Sequence, residues 1–389
     1  MAVNLPEKFP ADRPVPFGKY EILGRIGRGG MANVYLGRPR GQTRLVAIKC
    51  MKDKLGDQQS FIDMFVQEGK LAIQLNYDTI VKTYEVGRIH GMYFICMEYI
   101  AGVDLSTILR NCQRRAQRLP VPHALSIGVR VLEGLHYAHE LTDGSGTSLN
   151  LVNRDVSPAN IRVSFDGQVK ILDFGIAKAA SGLTSEIGML KGKISHMSPE
   201  QVRGLPLDRR SDIFSTAVVI HEMLTGEKLF RGDSEFRVMD LVRKADVRPP
   251  SATNQRVSAK LDDVILRGLQ KLPAERYQTA AEMADDLRTI LSEYNFTKAE
   301  LRSFTRELCA EEWVKEQRVL SLSTATASDP HTADEEQEDY GDLVVDLKPS
   351  TVSTGSRVAQ APTHPWWMYA LLGVAVLAFA AAAIVVFGR

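Results

Sequence analysis

Cysteine is scarce in this sequence and follows no motif. The 389 residues include four cysteines, and no two of them form a C-x-x-C pair. Scattered cysteines of this kind argue against a disulfide framework and against a zinc site. We therefore expect the chain to work in a reducing compartment such as the cytosol. The four are Cys50, Cys96, Cys112 and Cys309.

The sequence also lacks an excess of charge of either sign. Lys and Arg together number 48, and Asp and Glu number 47, so the formal net charge is +1. Nucleic-acid-binding proteins normally show a basic excess or stripe, so we expect protein or small-molecule partners and no nucleic acid. The N-terminal stretch M-A-V-N-L-P-E-K-F-P contains no apolar h-region, and it therefore does not predict a secretory signal peptide.

Composition divides the chain into segments. Residues 1–19 form an N-terminal extension, and residues 20–291 alternate apolar runs with Gly and Pro, as a globular domain does. Residues 292–320 have an apolar spacing that predicts a helical extension of unassigned role. Residues 321–365 are rich in Ser, Thr and acidic side chains. Low hydrophobicity with clustered like charge predicts a disordered linker there, because too little apolar surface can be buried to offset chain entropy.

Residues 366–387 contain no charged side chain. About 20 apolar residues rising about 1.5 Å each span a bilayer core of about 30 Å, so this segment predicts a transmembrane helix, with Trp366, Trp367 and Tyr369 at one interface. The alternative, a buried core helix, would need a globular partner beyond the linker. We expect a single-pass tail anchor in the cytoplasmic (inner) membrane, with the globular domain in the cytoplasm and no sensor domain on the far side.

Two small residues in this apolar segment have the spacing of helix dimers. Ala378 and Ala382 form a small-x-x-x-small pattern, which is compatible with a homodimer. In so Ala-rich a segment, however, an ordinary lipid-facing helix is the favoured interpretation.

A glycine-rich stretch, I-G-R-G-G-M-A-N-V-Y, occupies residues 26–35. Gly27 and Gly29 fill the first two glycine positions of G-x-G-x-x-G-x-V, Ala32 replaces the third, and Val34 fills the last. Glycines let a tight turn bring backbone N–H groups against phosphate oxygens. Taken alone, the stretch is weak evidence, and a glycine-rich hairpin without a ligand is the favoured interpretation.

Two charged residues become informative in combination with that stretch. The run V-A-I-K ends at Lys49, which in isolation indicates only a surface lysine whose stem lies along apolar surface. Glu68 lies within residues 61–75, whose apolar spacing predicts a helix. It can be a solvated residue, or it can pair with Lys49. The apolar run at residues 92–100 predicts a buried strand.

Five more motifs follow in order along the chain. They are N-R-D-V-S-P-A-N at 153–160, L-D-F-G at 172–175, H-M-S-P-E at 196–200, R-S-D-I-F at 210–214 and P-A-E-R-Y at 273–277. Any one of them could arise by chance, but the ordered series could hardly do so. Residues 20–291 thus resemble a eukaryotic-type (Hanks-type) serine/threonine protein kinase, and the glycine-rich and catalytic loops resemble those of the bacterial membrane-linked members.

The resemblance implies an α+β, two-lobed protein kinase fold, with a small β-rich N-lobe to about Glu98 and a larger helical C-lobe. It also implies ATP and two Mg²⁺ ions in the cleft, and protein Ser/Thr hydroxyls as substrates. Phosphoryl transfer requires mainly positioning and charge stabilisation. The implied roles are Lys49 on the α and β phosphates, Glu68 orienting Lys49, Asp155 accepting the substrate proton, and Asn160 and Asp173 binding Mg²⁺.

The resemblance also implies which residues bind the nucleotide. Glu98 and Ile100 would offer backbone groups to adenine, beside Met97 as gatekeeper, and Asp104 would reach the ribose. The complete set of implied nucleotide-binding residues is Ile26, Gly27, Gly29, Val34, Ala47, Lys49, Glu98, Ile100, Asp104 and Arg162.

The resemblance also assigns structural and regulatory positions. Glu200 and Arg276 match the pair that ties the activation segment to the helical lobe, and Asp212 matches the residue that braces the catalytic loop. Residues 175–199 would be the activation segment. A phosphate on this segment could pair with Arg154, although its hydroxyls can equally be ordinary loop groups. The candidate acceptors are Ser181, Thr184 and Ser185.

Four positions depart from the family pattern. Asn153 stands where a His supports the D-F-G phenylalanine, so we expect reduced rigidity there. Ser157 replaces a Lys that contacts the γ-phosphate, and a lost donor there can cost on the order of tens to a thousandfold in rate, which Lys193 could offset. Lys193 itself stands where a Thr is usual. Arg162 falls where an apolar residue forms the floor under adenine, so its stem or guanidinium would have to stack there.

Two interpretations from different classes remain. One is an active kinase that phosphorylates Ser or Thr on proteins, including itself, and the other is a pseudokinase that acts as a membrane-tethered scaffold. The presence of Lys49, Glu68, Asp155, Asn160 and Asp173 favours the enzyme, because a scaffold has no chemical reason to keep all five. A tyrosine kinase is less favoured, because the catalytic loop lacks the Arg-containing insert of that group and the S-P-E region resembles the serine/threonine pattern.

Overall fold

The structure, a computed structural model, describes residues 5–8, 13–52, 58–174 and 194–325. Its first part is a six-stranded antiparallel sheet with the strand order β1-β2-β3-β4-β6-β5. A helix, α1 (Gln59–Gln74), packs against this sheet. The strands are β1 (Val15–Phe17), β2 (Tyr20–Arg28), β3 (Ala32–Pro39), β4 (Val46–Met51), β5 (Thr83–Ile89) and β6 (Met92–Glu98).

Alternating side chains give this sheet two apolar faces. Phe94 of β6 belongs to a buried cluster with Phe17 and Ile22, whereas its neighbour Ile95 packs with Phe65 of α1. Successive side chains of a strand point to opposite faces, so one run of apolar residues in β6 serves both clusters. The sheet is therefore buried on the face that carries α1 and on much of the other face.

Gly69 lets α1 approach the sheet closely, next to Glu68. A Cβ atom at this position would lie 2.3 Å from Val86 Cγ2 and 3.1 Å from Ile95 Cγ1. We expect Gly69→Ala to push α1 away from the sheet and to lower the free energy of unfolding by about 1–3 kcal/mol, the usual cost of overpacking. Chemical denaturation measures this loss. Gly144→Ala is the control, because a Cβ at Gly144 would meet nothing within 4 Å, and equal stability of the two variants would contradict this description of the contact.

The second part of the structure is mostly helical. It includes a small antiparallel sheet of β7 (Gly102–Asp104), β8 (Ile161–Ser164) and β9 (Val169–Ile171). The helices are α2 (Leu105–Arg114), α3 (Val121–His139), α4 (Pro199–Val202), α5 (Arg209–Thr225), α6 (Glu235–Lys244), α7 (Ala259–Gly268), α8 (Ala280–Ser292), α9 (Lys298–Leu308) and α10 (Ala310–Ala325). Short 3₁₀ turns occupy Pro158–Asn160, Ile194–His196, Pro250–Ala252 and Pro273–Glu275.

Helix α5 lies at the centre of this helical part. Every residue from Ser211 to Thr225 is buried, because α3, α7 and α8 all pack against the helix. Asp208 caps its N-terminus by accepting a hydrogen bond from the Arg210 N–H at 2.9 Å. The helix ends at Gly226, whose φ of +76° is a left-handed conformation that glycine adopts without a steric penalty. Asp212, in the first turn, is thereby held inside the lobe.

This architecture agrees with the two-lobed α+β fold that the sequence predicts. The sheet with α1 forms the N-lobe and ends at Glu98, and the mostly helical part that follows forms the C-lobe. Helices α9 and α10 lie in the region that the sequence assigns to a helical extension.

The helical extension ends later in the chain than the predicted boundary at residue 320. Helix α10 continues to Ala325, so the first residues assigned to the disordered linker, 321–325, are helical. The acidic run that indicated a linker begins later, at Asp334. Across the described ranges, no helix has both the length and the apolar character needed to cross a bilayer. The predicted transmembrane segment, with Ala378 and Ala382, and the linker beyond Ala325 lie outside the described residues.

Candidate active site

Three charged side chains meet where the N-lobe sheet faces the C-lobe. Lys49 Nζ, on β4, lies 2.7 Å from Glu68 Oε1 on α1 and 3.3 Å from Asp173 Oδ1. The side chains of Lys49 and Glu68 are each 16% exposed, whereas that of Asp173 is 42% exposed. The ammonium group is therefore fixed between two carboxylates, and the Asp173 carboxylate is still accessible to a ligand.

Lys49 keeps its positive charge in these surroundings. Burial alone would lower its pKa, but the carboxylates of Asp173 and Glu68 outweigh burial and raise the pKa of Lys49 above its ordinary value. Lys49 is therefore a fixed cation, as required of a group that binds the phosphate oxygens of a nucleotide.

Asp212 holds the loop that contains Asp155. Its Oδ2 accepts a hydrogen bond from the Asn153 N–H and its Oδ1 from the Arg154 N–H, both at 2.8 Å. Arg154 has a φ of +63°, a left-handed conformation that costs about 1–3 kcal/mol in a non-glycine residue, and the bond from its N–H helps to stabilise it. His139 Nε2 also lies 2.7 Å from Asp212 Oδ2. No sequence motif surrounds His139, so its role could not be predicted from the sequence.

Asn153 connects the catalytic loop to the D-F-G motif. Its side chain is fully buried. The amide Nδ2 donates to the Asp173 carbonyl at 3.1 Å, and Oδ1 accepts from the Asp155 N–H at 3.0 Å. The reduced rigidity expected from the loss of a His stays a prediction, but these two hydrogen bonds provide a direct link between the two motifs that the sequence analysis did not foresee.

Asn160 and Asp173 provide oxygen ligands of the kind that Mg²⁺ prefers. Asn160 Nδ2 donates to the Asp155 carbonyl at 2.9 Å, which directs the amide nitrogen to the protein and leaves Oδ1 as the ligand atom. Within the described ranges, no group of three or more His, Cys, Asp or Glu side chains could hold a metal ion. Mg²⁺ is commonly bound by one or two carboxylates together with substrate phosphates. Asn160 and Asp173 therefore fit Mg²⁺ bound with a nucleotide.

Strand register lines up the predicted nucleotide-binding residues of the N-lobe. Gly27 pairs with Val34, and Val34 pairs with Lys49, across β2, β3 and β4. In a neighbouring row, Ala47 of β4 pairs with Met97 of β6. Residues from distant motifs thus lie side by side on the sheet, as expected for the roof of a nucleotide site. Ile26, at the end of β2, is 42% exposed.

Gly29 has a local structural reason to be glycine. Its N–H donates to the Ala32 carbonyl at 2.8 Å in the turn between β2 and β3. A Cβ at Gly29 would lie 3.0 Å from that same oxygen, closer than a side chain tolerates without movement. The turn geometry therefore accounts for Gly29 even before any ligand is considered.

The hinge segment follows β6 and connects the lobes. Met97 is buried beside a small cavity of about 20 Å³. The Glu98 carboxylate accepts a hydrogen bond from Lys170 Nζ at 2.9 Å. None of the backbone hydrogen bonds described outside the helices and strands uses the Ile100 N–H, and this group stays a candidate donor to an adenine ring. The cavity is lined by residues that include Lys49, Glu68, Leu75, Thr83 and Phe174.

Asp104, expected at the ribose, caps helix α2. Its Oδ1 accepts from the Thr107 N–H at 2.9 Å, and its Oδ2 accepts from Thr107 Oγ1 at 3.0 Å. A ribose hydroxyl would therefore share this carboxylate with the helix cap.

Arg162, expected under adenine, directs its guanidinium to the backbone. Nε donates to the Ile100 carbonyl at 2.8 Å, and Nη2 donates to the Gly102 carbonyl at 2.5 Å. Because the guanidinium is engaged in this way, the aliphatic stem is the part of Arg162 that can form a floor for adenine.

Ser157 is buried in the catalytic loop, and it brings no positive charge to the phosphate site. Residues 175–193 lie outside the described part of the chain. The expected replacement of the missing lysine charge by Lys193 therefore stays a prediction. So do the candidate phosphoacceptors Ser181, Thr184 and Ser185.

Glu200 and Arg276 form a buried ion pair in the C-lobe. Arg276 Nη1 and Nη2 donate to Glu200 Oε1 and Oε2 at 2.7 and 2.8 Å, and Ser211 Oγ donates to Oε1 at 2.7 Å. Arg276 also donates to three backbone carbonyls and lies over the Phe214 ring. Burial alone would raise the pKa of Glu200, but the hydrogen bonds and charge of Arg276 outweigh burial and hold that pKa below its usual range.

Comparisons with known proteins agree with this geometry. A family model described as "Protein kinase domain" matches residues 20–287. The chain is 38% identical over 320 residues to the tyrosine-protein kinase MasK of Myxococcus xanthus, with 80% of this chain and 50% of MasK covered. It is 36% identical over 276 residues to the serine/threonine-protein kinase PknB of Mycobacterium tuberculosis, with 69% of this chain and 42% of PknB covered. The chain therefore spans about half or less of the length of these relatives.

Solved structures provide a match to the fold as well. The crystal structure of the Mycobacterium tuberculosis PknI kinase domain superimposes with a TM-score of 0.54 at 26% sequence identity, covering 71% of this chain and 97% of that domain. The likeness thus extends over nearly the whole of a bacterial kinase domain.

Proposed function

The chain belongs to the protein kinase family, and on that basis we propose that it is an active ATP-dependent serine/threonine kinase. The observation that carries the proposal is the convergence of Lys49, Glu68 and Asp173 in one ion-paired cluster. Asp155 and Asn160 lie on a loop that Asn153 ties to the same cluster. This convergence of side chains from separate stretches of sequence supports the proposal, because phosphoryl transfer depends mainly on positioning and charge.

Each residue has a defined task in the proposed reaction. The acceptor hydroxyl oxygen bonds to the γ-phosphorus of ATP, the bond from that phosphorus to the β,γ-bridging oxygen breaks, and ADP leaves. Asp155 would accept the proton that the hydroxyl loses. Lys49 would hold the α and β phosphates, with Glu68 fixing its position. Asn160 and Asp173 would hold Mg²⁺, which when bound would supply positive charge to the phosphate oxygens.

The alternative is a pseudokinase that keeps the fold and recruits partners as a scaffold. Ser157 favours this alternative, because it leaves the catalytic loop without the usual lysine. The intact Lys49–Glu68 pair opposes it, because a buried ion pair is costly to assemble and a scaffold gains nothing from its charge. We therefore favour the enzyme, with a rate that the missing lysine lowers.

The proposal also specifies which amino acid of the protein substrate is phosphorylated. MasK carries the name of a tyrosine kinase and PknB that of a serine/threonine kinase, and a Clostridium perfringens relative 35% identical over 280 residues is named a probable serine/threonine kinase. The absence of the tyrosine-group insert from residues 153–160 supports Ser and Thr.

A labelling experiment tests the proposed function. The full-length chain is incubated with Mg²⁺, γ-labelled ATP and generic protein acceptors, and the labelled amino acids are identified after acid hydrolysis. We expect label on Ser or Thr, of the acceptors and of the chain itself. Label on Tyr would contradict the proposed acceptor, and a folded chain that transfers no label would support the scaffold.

We also propose that the chain acts in signalling at the cytoplasmic membrane, anchored by residues 366–387. The support is the uncharged length of that segment and the aromatic residues at its start. Anchoring would raise the local concentration of neighbouring copies and so favour phosphorylation between them. Cell fractionation tests this: the full chain should sediment with membranes, and a chain ending at Pro365 should not.

A further inference from the structure

The two C-terminal helices pack beside the hinge. Arg306 of α9 donates from Nε to the Phe165 carbonyl at 2.6 Å and from Nη2 to Asp166 Oδ1 at 2.8 Å. Trp313 of α10 packs against the Phe165 ring, with centroids 4.9 Å apart, and lies against the Arg306 guanidinium. Both helices are therefore anchored to the turn between β8 and β9, and β8 carries Arg162.

Glu316 of α10 contacts the hinge directly. Its two carboxylate oxygens lie 2.7 and 3.0 Å from the Tyr99 hydroxyl, which donates to them. Tyr99 stands between Glu98 and Ile100, the residues whose backbone would bind adenine. Glu316 is only 7% exposed. Burial raises the pKa of Glu316, although the Tyr99 hydrogen bond and the charge of Arg162 oppose this.

Arg162 bonds the hinge next to Tyr99. It donates to the Ile100 and Gly102 carbonyls. Burial raises the pKa of both Tyr99 and Glu316, and the positive charge of Arg162 opposes that rise. The hydrogen bonds of Glu316 and of Arg162 therefore hold neighbouring points of the hinge, at Tyr99, Ile100 and Gly102.

We propose that Glu316 is a positioning residue of the nucleotide site. By holding Tyr99, it sets the hinge backbone that binds adenine, so that α10 becomes a working part of a kinase domain whose family match ends at residue 287. This inference rests on the proposed function, because it assumes that the cleft binds ATP. It assigns a role to the C-terminal extension.

The test compares nucleotide binding and turnover in full-length variants. Glu316→Gln removes the charge, and Tyr99→Phe removes the hydrogen bond. Each should raise the dissociation constant of a fluorescent ATP analogue and the KM for ATP by about 5- to 50-fold, in the range of typical coupling between sites, with kcat changed less than about threefold. Glu311→Gln, an exposed substitution on the same helix, is the matched control and should leave both constants unchanged.

A double-mutant cycle separates the Tyr99–Glu316 contact from a general effect on folding. In a Tyr99→Phe background, Glu316→Gln should change the KM for ATP much less than it does in the parent chain. Thermal unfolding of each variant shows whether the protein is folded at the assay temperature. A purely structural role for Glu316 would lower the midpoint of unfolding and leave the KM for ATP unaltered.

The outcomes separate this inference from the proposed function. If the parent binds the nucleotide analogue and folded Glu316→Gln and Tyr99→Phe variants bind it equally well, the inference is wrong and the proposed function stands. If the folded parent binds no nucleotide under any Mg²⁺ condition, the proposed function is wrong and the inference fails with it.

Discussion

Replacing Asp155 by Asn is expected to lower the rate of phosphoryl transfer about 10²- to 10⁴-fold, the usual contribution of a positioned general base. Asn has nearly the shape of Asp, and the loop around position 155 is held through backbone groups by Asp212 and Asn153. The substitution therefore removes the proton acceptor and leaves the loop in place. Because nucleotide binding does not depend on that acceptor, the loss should fall on kcat and leave the KM for ATP nearly unchanged.

Initial rates at saturating ATP, with a KM determined for each variant, measure this effect. Asp263→Asn is the matched control, since Asp263 is exposed on α7 and far from any proposed role. A folded Asp155→Asn variant that retains more than about a tenth of the parent rate would remove Asp155 as the base.

Replacing Arg276 by Ala is expected to produce the largest loss of stability, about 3–5 kcal/mol. The side chain of Arg276 is fully buried, and its removal leaves the Glu200 carboxylate, 7% exposed, without its countercharge. It also deprives the carbonyls of Arg210, Gln270 and Lys271 of a donor. A buried charge without a partner costs far more than the loss of one surface contact.

Urea or guanidinium unfolding measures this loss, with Arg288→Ala as the matched control. Arg288 also bonds a carboxylate, Glu133 at 2.9 Å, but its side chain is 49% exposed, so the control should cost about 0–1 kcal/mol. Similar losses in the two variants would contradict the description of Glu200–Arg276 as a buried pair that stabilises the C-lobe.

The same pair predicts a dependence of stability on pH. Because the pKa of Glu200 is held below its ordinary value, its contribution is fully present above the unfolded pKa of about 4.3. That contribution is lost as the pH falls through the lowered folded value. The difference in stability between the parent and Arg276→Ala should therefore be constant near neutral pH and should shrink in acid.

Short motifs let the sequence indicate candidate site residues. Lys49, Asp155, Asn160 and Asp173 each stand in a run of residues whose order along the chain is informative, and Glu68 stands on a predicted helix between two of these runs. Phosphate and Mg²⁺ binding restrict which side chains are useful at such positions, and the roles of these five residues stay predictions.

Contacts between residues far apart in sequence could not be predicted in this way. His139 meets Asp212 across 73 positions, and Tyr99 meets Glu316 across 217. Neither His139 nor Glu316 belongs to a motif. Helix α5 could not be predicted from apolar spacing either, because a helix that is buried on all sides has no single apolar face.

The structural effects of the residues that depart from the family pattern also depend on contacts between distant parts of the sequence. Asn153 suggested a weakened support, yet its amide bonds both Asp173 and Asp155. The stem or the guanidinium of Arg162 was expected to stack under adenine, and its guanidinium bonds the hinge backbone instead. The effect of each substitution therefore depends on where the new polar group finds its partners, which the sequence does not specify.

The most direct test of the central claim measures ATP binding and phosphoryl transfer on one preparation of the full-length chain. Binding of a fluorescent ATP analogue is titrated with Mg²⁺, and transfer from γ-labelled ATP to protein hydroxyls is then followed in the same sample, with and without EDTA. The account predicts that the chain binds the nucleotide and transfers label only while Mg²⁺ is present. A chain that binds the nucleotide with Mg²⁺ and transfers no label to any acceptor would contradict it.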